Sequence, residues 1–221
     1  MLTTTDLISD DVPPLKLSDT GEKALRWMDE FRVSHLPVVD GPLFAGIVSD
    51  DDIFDMDDPT LPLSEGKLAL IKPVLHPHQH PYDALKLMAE LGLTVLAVTD
   101  ENLNYVGAIS VKNLAVRLSN MAAIREPGGI IVLEVNHVDY SLSQIASIVE
   151  GNDAKILSMY VSSEADSNRA EITLKINKED LSRILQTFAR YNYSVTASFH
   201  QSEFMDDLRQ RYDQLMNFMN L

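Results

Sequence analysis

Residues 35–53 read HLPVVDGPLFAGIVSDDDI. Two apolar runs, His35–Asp40 and Leu43–Ser49, flank a Gly41-Pro42 turn, the pattern of two buried strands joined by a tight hairpin. Three aspartates follow, and Ser49-Asp50-Asp51-Asp52 reads as the start of a short helix. Upstream, Glu22–Arg32 places Leu25 and Met28, with Ala24 and Phe31, at helical spacings of three and four. The unit is thus a helix, a hairpin and a second, short helix.

The same unit occurs again. Ala24, Leu25 and Met28 recur as Ala84, Leu85 and Met88, and Leu36, Val38 and Asp40 as Leu96, Val98 and Asp100, all 60 residues on. One extra residue in the second turn makes the offset 61, so that Gly46, Val48, Ser49 and Ile53 fall on Gly107, Ile109, Ser110 and Leu114. A constant register broken by one turn insertion is a tandem duplication. The second copy predicts a helix at Tyr82–Gly92, strands at Thr94–Thr99 and Tyr105–Ser110, and a helix at Val111–Asn120. Met56–Gly66, with Asp, Pro, Ser and Gly, has the composition of a linker.

From Gly128 the pattern changes. Gly129–Val135, Ile156–Ser162, Arg169–Ile176 and Tyr193–Phe199 read as strands, and Ser141–Glu150 and Lys178–Asn192 as amphipathic helices. The order βαββαβ is ferredoxin-like. A final amphipathic helix is expected at Glu203–Leu221, with Leu208, Tyr212, Leu215 and Met219 on one stripe that must be covered by its own domain or by a partner.

The chain has 221 residues, 45% apolar, and a formal charge of −15 from 18 Lys+Arg against 33 Asp+Glu. That balance disfavours nucleic acid, whose phosphates are met by basic patches, and anionic membrane surfaces. No apolar run approaches the roughly 18–20 residues of a membrane span. Cysteine is absent, which removes disulfides, thiolate metal sites and a cysteine nucleophile. No phosphate-binding glycine loop, dinucleotide fingerprint, His-Glu-x-x-His or Gly-x-Ser-x-Gly is present. A cytoplasmic protein without catalytic activity is expected.

The motif Ala-Leu-x-x-Met, then Leu36-Pro37-Val38-Val39-Asp40, then Gly46-Ile47-Val48-Ser49 to Ile53 resembles CBS domains, which normally occur as a pseudo-twofold tandem pair. The second copy, Leu96–Asp100 and Gly107–Leu114, is a looser match. A CBS pair trailed by a ferredoxin-like unit resembles a CBS pair with an ACT-like domain, the arrangement of acetoin-utilisation (AcuB-type) proteins; nothing in the spacing points to acetoin chemistry. The resemblance implies an α+β chain: a first CBS domain at 1–58, a linker and second CBS domain at 59–125, an ACT-like domain at 128–200 and a terminal helix at 201–221.

It also implies a function. In nucleotide-binding CBS domains the hydroxyl at Ser49 meets phosphate and the carboxylate at Asp52 takes the ribose hydroxyls; Ser110 and Asn113 hold these positions in the second copy, and His35 and Pro37 line the adenine slot. Asn113 lacks charge, and Asp50 and Asp51 repel a polyphosphate, so an AMP-like ligand is favoured over an ATP-like one. The competing role for Ser49–Asp52 is a helix capping box, which needs no ligand. His76, His78 and His80 alternate in HPHQHP, near the expected phosphates in the second copy. They are read as phosphate-facing (His76, His78) or as a Pro-pinned exposed loop; zinc or nickel binding would need further ligands, and no metal is expected. Trp27 lies off the inward stripe and is a candidate for a subunit contact.

In the ACT-like half the Pro-Gly pair that lets backbone approach an amino-acid ligand is missing from Asp139-Tyr140-Ser141-Leu142-Ser143. Asp139 and Ser141 are the candidate ligand residues, with Ser141 equally a helix N-cap. The resemblance further implies a homodimer, an adenine nucleotide as regulatory ligand rather than a cofactor, bound in the cleft between the two CBS copies, and transmission of that signal to the ACT-like domain or a regulated protein partner. The alternative is a ligand-free interaction or dimerisation scaffold in which both site types are degenerate.

Overall fold

The computed structural model describes residues 3–136, 138, 140–163 and 168–199. The helix expected at 203–221, and Asp139, lie outside them. The chain divides into two compact units, Met1–Arg117 and a second beginning at Leu118.

The first unit contains both repeats. Its elements are a 3-10 turn at Thr4–Leu7, then β1 (Leu15–Lys16), α1 (Gly21–Phe31), β2 (His35–Asp40), β3 (Leu43–Ser49), α2 (Asp50–Phe54), α3 (Pro81–Leu91), β4 (Val95–Thr99), β5 (Tyr105–Ser110) and the first two turns of α4 (Val111–Met121). The helices start where capping chemistry places them. Thr20 Oγ1 accepts from the Lys23 N–H, and His80 Nδ1 accepts from the Tyr82 N–H ahead of Pro81.

The duplication extends to backbone irregularities. Both hairpins are antiparallel, and both slip register at the same position, between Val38 and Val39 and between Val98 and Thr99. Each slip leaves one residue unpaired on the returning strand, Ala45 or Val106, as a bulge does. Leu15 pairs in parallel with Val38, and Leu75 with Val98.

The copies meet through equivalent residues. The Ser34 N–H donates to Thr94 Oγ1 at 3.0 Å, and Leu43 bridges Asn104; each pair is related by the repeat register, so both lie on the pseudo-twofold relation. The core crosses between copies: Leu36, Val38, Val48 and Met28 cluster with Val95 and Ala108. The segments ahead of each copy are exchanged. Ile71 bridges Ile47 of the first hairpin, and Ser9, from the chain start, bridges Ala108 of the second. Glycines permit both crossings, since a Cβ on Gly46 would lie 2.6 Å from Leu70 Cβ and one on Gly107 2.4 Å from Ile8 Cγ2.

Residues 56–66 have the composition of a linker but are packed. Met56 and Leu63 are buried, and the Leu63 and Ser64 N–H groups donate to the Asp19 and Leu17 carbonyls. Trp27 packs partly buried against the first copy's core, edge-on to Phe31, with Lys23 Nζ 4.2 Å from its ring centroid.

The second unit contains β6 (Gly129–Asn136), α5 (Leu142–Glu150), β7 (Ile156–Ser163), β8 (Arg169–Ile176), α6 (Ser182–Arg190) and β9 (Ser194–Phe199). The sheet order is β7-β8-β6-β9 with every pair antiparallel, which is the ferredoxin-like topology. Alternate residues of β6 and β8, among them Ile131, Leu133, Ile172 and Leu174, pack with Ile145, Ile148, Ile184 and Phe188 of the helices. Helix α6 is shorter than the expected Lys178–Asn192. The Asp180 carboxylate accepts from the Ser182 N–H and ends the preceding loop there, and Tyr191 lies outside the helix as its C-cap.

Candidate functional site

The candidate residues fall into two groups, one in each repeat. In the first copy, β2 and β3 are paired so that His35 lies opposite Ser49. Ser49 ends β3 and is the N-cap of α2. Its Oγ accepts from the Asp52 N–H at 3.1 Å, while Asp52 Oδ2 accepts from the Ser49 N–H at 2.8 Å and from the hydroxyl at 2.6 Å. This is a complete capping box. It holds a hydroxyl and a half-buried carboxylate side by side, and among the described residues Asp52 Oδ1 has no hydrogen-bond partner.

His35 ties this site to the other copy. Its Nδ1 lies 3.1 Å from Thr94 Oγ1 and 3.3 Å from the Thr94 nitrogen, whose N–H donates to it. The ring therefore carries its proton on Nε2. Burial holds the imidazole below its ordinary pKa, although the nearby Asp50, Asp52 and Asp51 pull the other way. Pro37 is buried in mid-strand opposite Ile47. A 450 Å³ groove beside the site is lined by Leu25, Met28, Arg32, Asp50, Phe54 and Thr94 among others.

In the second copy the same positions behave differently. Ser110 Oγ accepts from the Asn113 N–H at 3.2 Å, but the Asn113 side chain does not return to Ser110. Its amide donates to Ser9 Oγ, from the exchanged segment at the chain start. Ser9 and Asn113 line a cleft of about 260 Å³ with Asp6, Asp11 and Arg117.

The histidines of HPHQHP are not gathered together. His76 Nδ1 lies 3.1 Å from the Thr99 carbonyl, to which it donates, and the His76 N–H donates to Gln79 Oε1. His80 caps α3 and stacks edge-on with Tyr82. His78 is exposed. Among the described residues no group of three or more His, Asp or Glu is placed to hold a metal ion. The Thr4 and Thr5 hydroxyls donate to the His76 and Pro77 carbonyls, so this loop too is fastened by the chain start. Thr4, Thr5, Ser9 and Thr94 carry no motif, and their roles follow from tertiary placement.

In the second unit Ser141 acts as the N-cap of α5, its Oγ accepting from the Gln144 N–H at 3.3 Å and lying 2.9 Å from Ser143 Oγ. No helix among the described residues is long and apolar enough to cross a membrane.

Comparison with known proteins agrees with the repeat. Residues 5–57 and 71–120 match the CBS domain family. The chain is 29% identical over 120 residues to inosine-5′-monophosphate dehydrogenase of Korarchaeum cryptofilum, covering 54% of this chain and 25% of that protein. It thus spans about a quarter of that relative's length. Among solved structures it is similar to a putative acetoin utilization protein from Vibrio cholerae, with 19% identity, a TM-score of 0.48, and coverage of 57% of this chain and 96% of that one. It is also similar to CBSX2 in complex with AMP, with 21% identity, a TM-score of 0.47, and coverage of 54% and 98%. The duplicated units of this chain are a tandem CBS domain pair.

Proposed function

We propose that the CBS pair is a regulatory, non-catalytic sensor of an adenosine-containing ligand of the AMP type, and that the first copy provides the working site. The carrying observation is the Ser49–Asp52 pair at the start of α2, opposite His35. The Ser49 hydroxyl, on turning its proton from Asp52 Oδ2, can donate to a phosphate, and a carboxylate with an unengaged oxygen can accept from vicinal ribose hydroxyls. Asp50 and Asp51 disfavour a longer phosphate chain. The second copy, with Asn113 held by Ser9, is the weaker site, and Ser110, His76 and His78 belong to its surroundings.

Ligand bound at the first copy would favour one relative arrangement of the two copies through the Ser34–Thr94 and His35–Thr94 contacts. A protein partner sensitive to that arrangement would in turn change ligand affinity by the same factor. The ferredoxin-like unit is assigned as an ACT-like domain serving homodimer assembly in a cytoplasmic protein, without an amino-acid site at Asp139 and Ser141.

Thermal unfolding with AMP, ADP, ATP, S-adenosylmethionine and NAD tests the sensor. A ligand at 100 times its Kd adds about 2.7 kcal/mol, a shift of a few degrees. Asp52→Asn keeps an oxygen for the Ser49 N–H but removes the charge, so it should retain most of the fold's stability and lose the shift. A second reading is a ligand-free scaffold, favoured by the completeness of the capping box. It predicts no shift with any of the five compounds.

A further inference from the structure

The second unit has a cleft of about 370 Å³ between α5 and α6. Gln144, Ser147, Ile148 and Gly151 form its α5 side, spaced by three and four residues and hence on one helix face. Two of these four positions, Ser147 and Gly151, bring no bulky side chain to the cleft.

The α6 side presents Arg190, and a buried network orients it. Thr187, 8% exposed, donates through Oγ1 to the Arg183 carbonyl at 2.8 Å. The same oxygen accepts from Arg190 Nη2 at 3.0 Å and from Asn152 Nδ2 at 3.2 Å. Arg190 thus spends one of its five donors. Among the described residues no carboxylate pairs with it, and none lines the cleft. Lys178 Nζ, bonded at 3.0 Å to the Asn152 carbonyl, places a second cation nearby. In a chain with a net charge of −15, an arginine without an acid facing a polar cleft is unusual. The dipole of α6 favours a cation at its C-terminus, but it accounts for neither the cleft nor the buried hydroxyl that fixes the guanidinium.

We infer that this cleft binds a small organic carboxylate that carries no cationic group of its own. The carboxylate would meet the guanidinium fork through paired charge-assisted hydrogen bonds. Gln144, whose side-chain oxygen accepts from Tyr193, keeps its amide N–H groups for a hydroxyl or second oxygen of the ligand. An amino acid is disfavoured because no acidic side chain in the lining answers its ammonium.

The test is titration of the full chain with lactate, alanine and inorganic phosphate at constant ionic strength, read by amide chemical shifts at Gly151, Asn152 and Arg190. Lactate should give saturable shifts, and alanine, its ammonium analogue, should bind about tenfold more weakly. Arg190→Gln should abolish the lactate shifts, Arg190→Lys should retain part of them, and Ser147→Leu should block them by filling the cleft with Arg190 intact. Spectral dispersion checks that each variant is folded. The inference is overturned if lactate does no more than sodium chloride, if alanine or phosphate binds as well as lactate, or if a folded Arg190→Gln responds unchanged.

Discussion

The side-chain amide of Asn113 donates to the hydroxyl of Ser9, a residue 104 positions earlier in the chain. At the equivalent position of the first copy, Asp52 turns instead to Ser49, three residues away. The difference follows from donor inventory. A carboxylate only accepts, and the nearest donors are the Ser49 N–H and hydroxyl; an amide also donates, and finds the oxygen that the exchanged segment brings. Two sites with one ancestry are thereby held in different ways.

Ser9→Ala should release Asn113 while leaving the Ser110 cap in place. A single hydrogen bond of this kind contributes about 1 kcal/mol, so urea unfolding should show a free energy lowered by that amount, seen as a lower midpoint at unchanged slope. If the Ser9 bond is what weakens the second copy as a ligand site, the variant should bind an additional equivalent of the adenosine ligand. Unaltered stoichiometry would place the weakness in Asn113 itself.

The exchanged segments make a second prediction. Gly107→Ala drives a methyl group into Ile8, a side-chain contact at 2.4 Å, and overpacking of this type costs about 1–3 kcal/mol. Adding Ile8→Ala should recover part of the loss, so the double variant should depart from additivity by more than about 0.5 kcal/mol. Gly46→Ala should have no such remedy, because its φ of +145° and the Ile71 carbonyl 2.9 Å away are both backbone constraints.

His35 makes stability depend on pH in a defined direction. Burial lowers its pKa in the folded state below the value near 6.5 of an exposed histidine, so between those two values the unfolded chain binds more protons. Stability is then fully present above the unfolded pKa, falls as pH drops through about 6.5, and levels off below the folded value. His35→Gln removes the titration but keeps a side-chain acceptor for the Thr94 N–H. Subtracting its urea-unfolding profile from that of the parent chain, from pH 7.5 to 5, should leave a difference that declines with acidification. A flat difference would mean that His35 does not titrate with folding.

The features legible in the sequence are the local ones. The hairpins His35–Asp40 and Leu43–Ser49, and their second copies, announce themselves by apolar runs around a turn. Alternation in Arg169–Ile176 gave one sheet face directly, with Ala170, Ile172, Leu174 and Ile176 all buried. What escaped was set by distant partners. That Ser9 reaches Asn113, that Ile71 pairs with Ile47 and that His76 turns onto Thr99 depend on tertiary placement, which periodicity does not encode. Asp180 shortened α6 by a local bond that helical spacing does not register. Residues 56–66 have linker chemistry, yet Met56 and Leu63 are drawn into the first copy's core. For Ser49–Asp52 the sequence left two roles open, and the geometry shows why: the atoms that close the cap are those a ligand would address.

Gly128 offers a probe confined to the second unit. It stands immediately before β6 with a φ of +137°, and an added Cβ would lie 1.9 Å from the Ile176 carbonyl. That carbonyl belongs to the strand paired with β6, Gly129 lying opposite Ile176, so no side-chain rotation relieves the clash and the backbone must move. Gly128→Ala should therefore cost more than the roughly 1 kcal/mol of an ordinary left-handed residue. Amide hydrogen exchange should locate the loss: protection should fall along β6 and β8, where Ile131, Leu133, Ile172 and Leu174 anchor the core, and stay at parent levels in β2 and β3. Equal loss in the hairpins of the CBS pair would show that the two compact units unfold as one cooperative body.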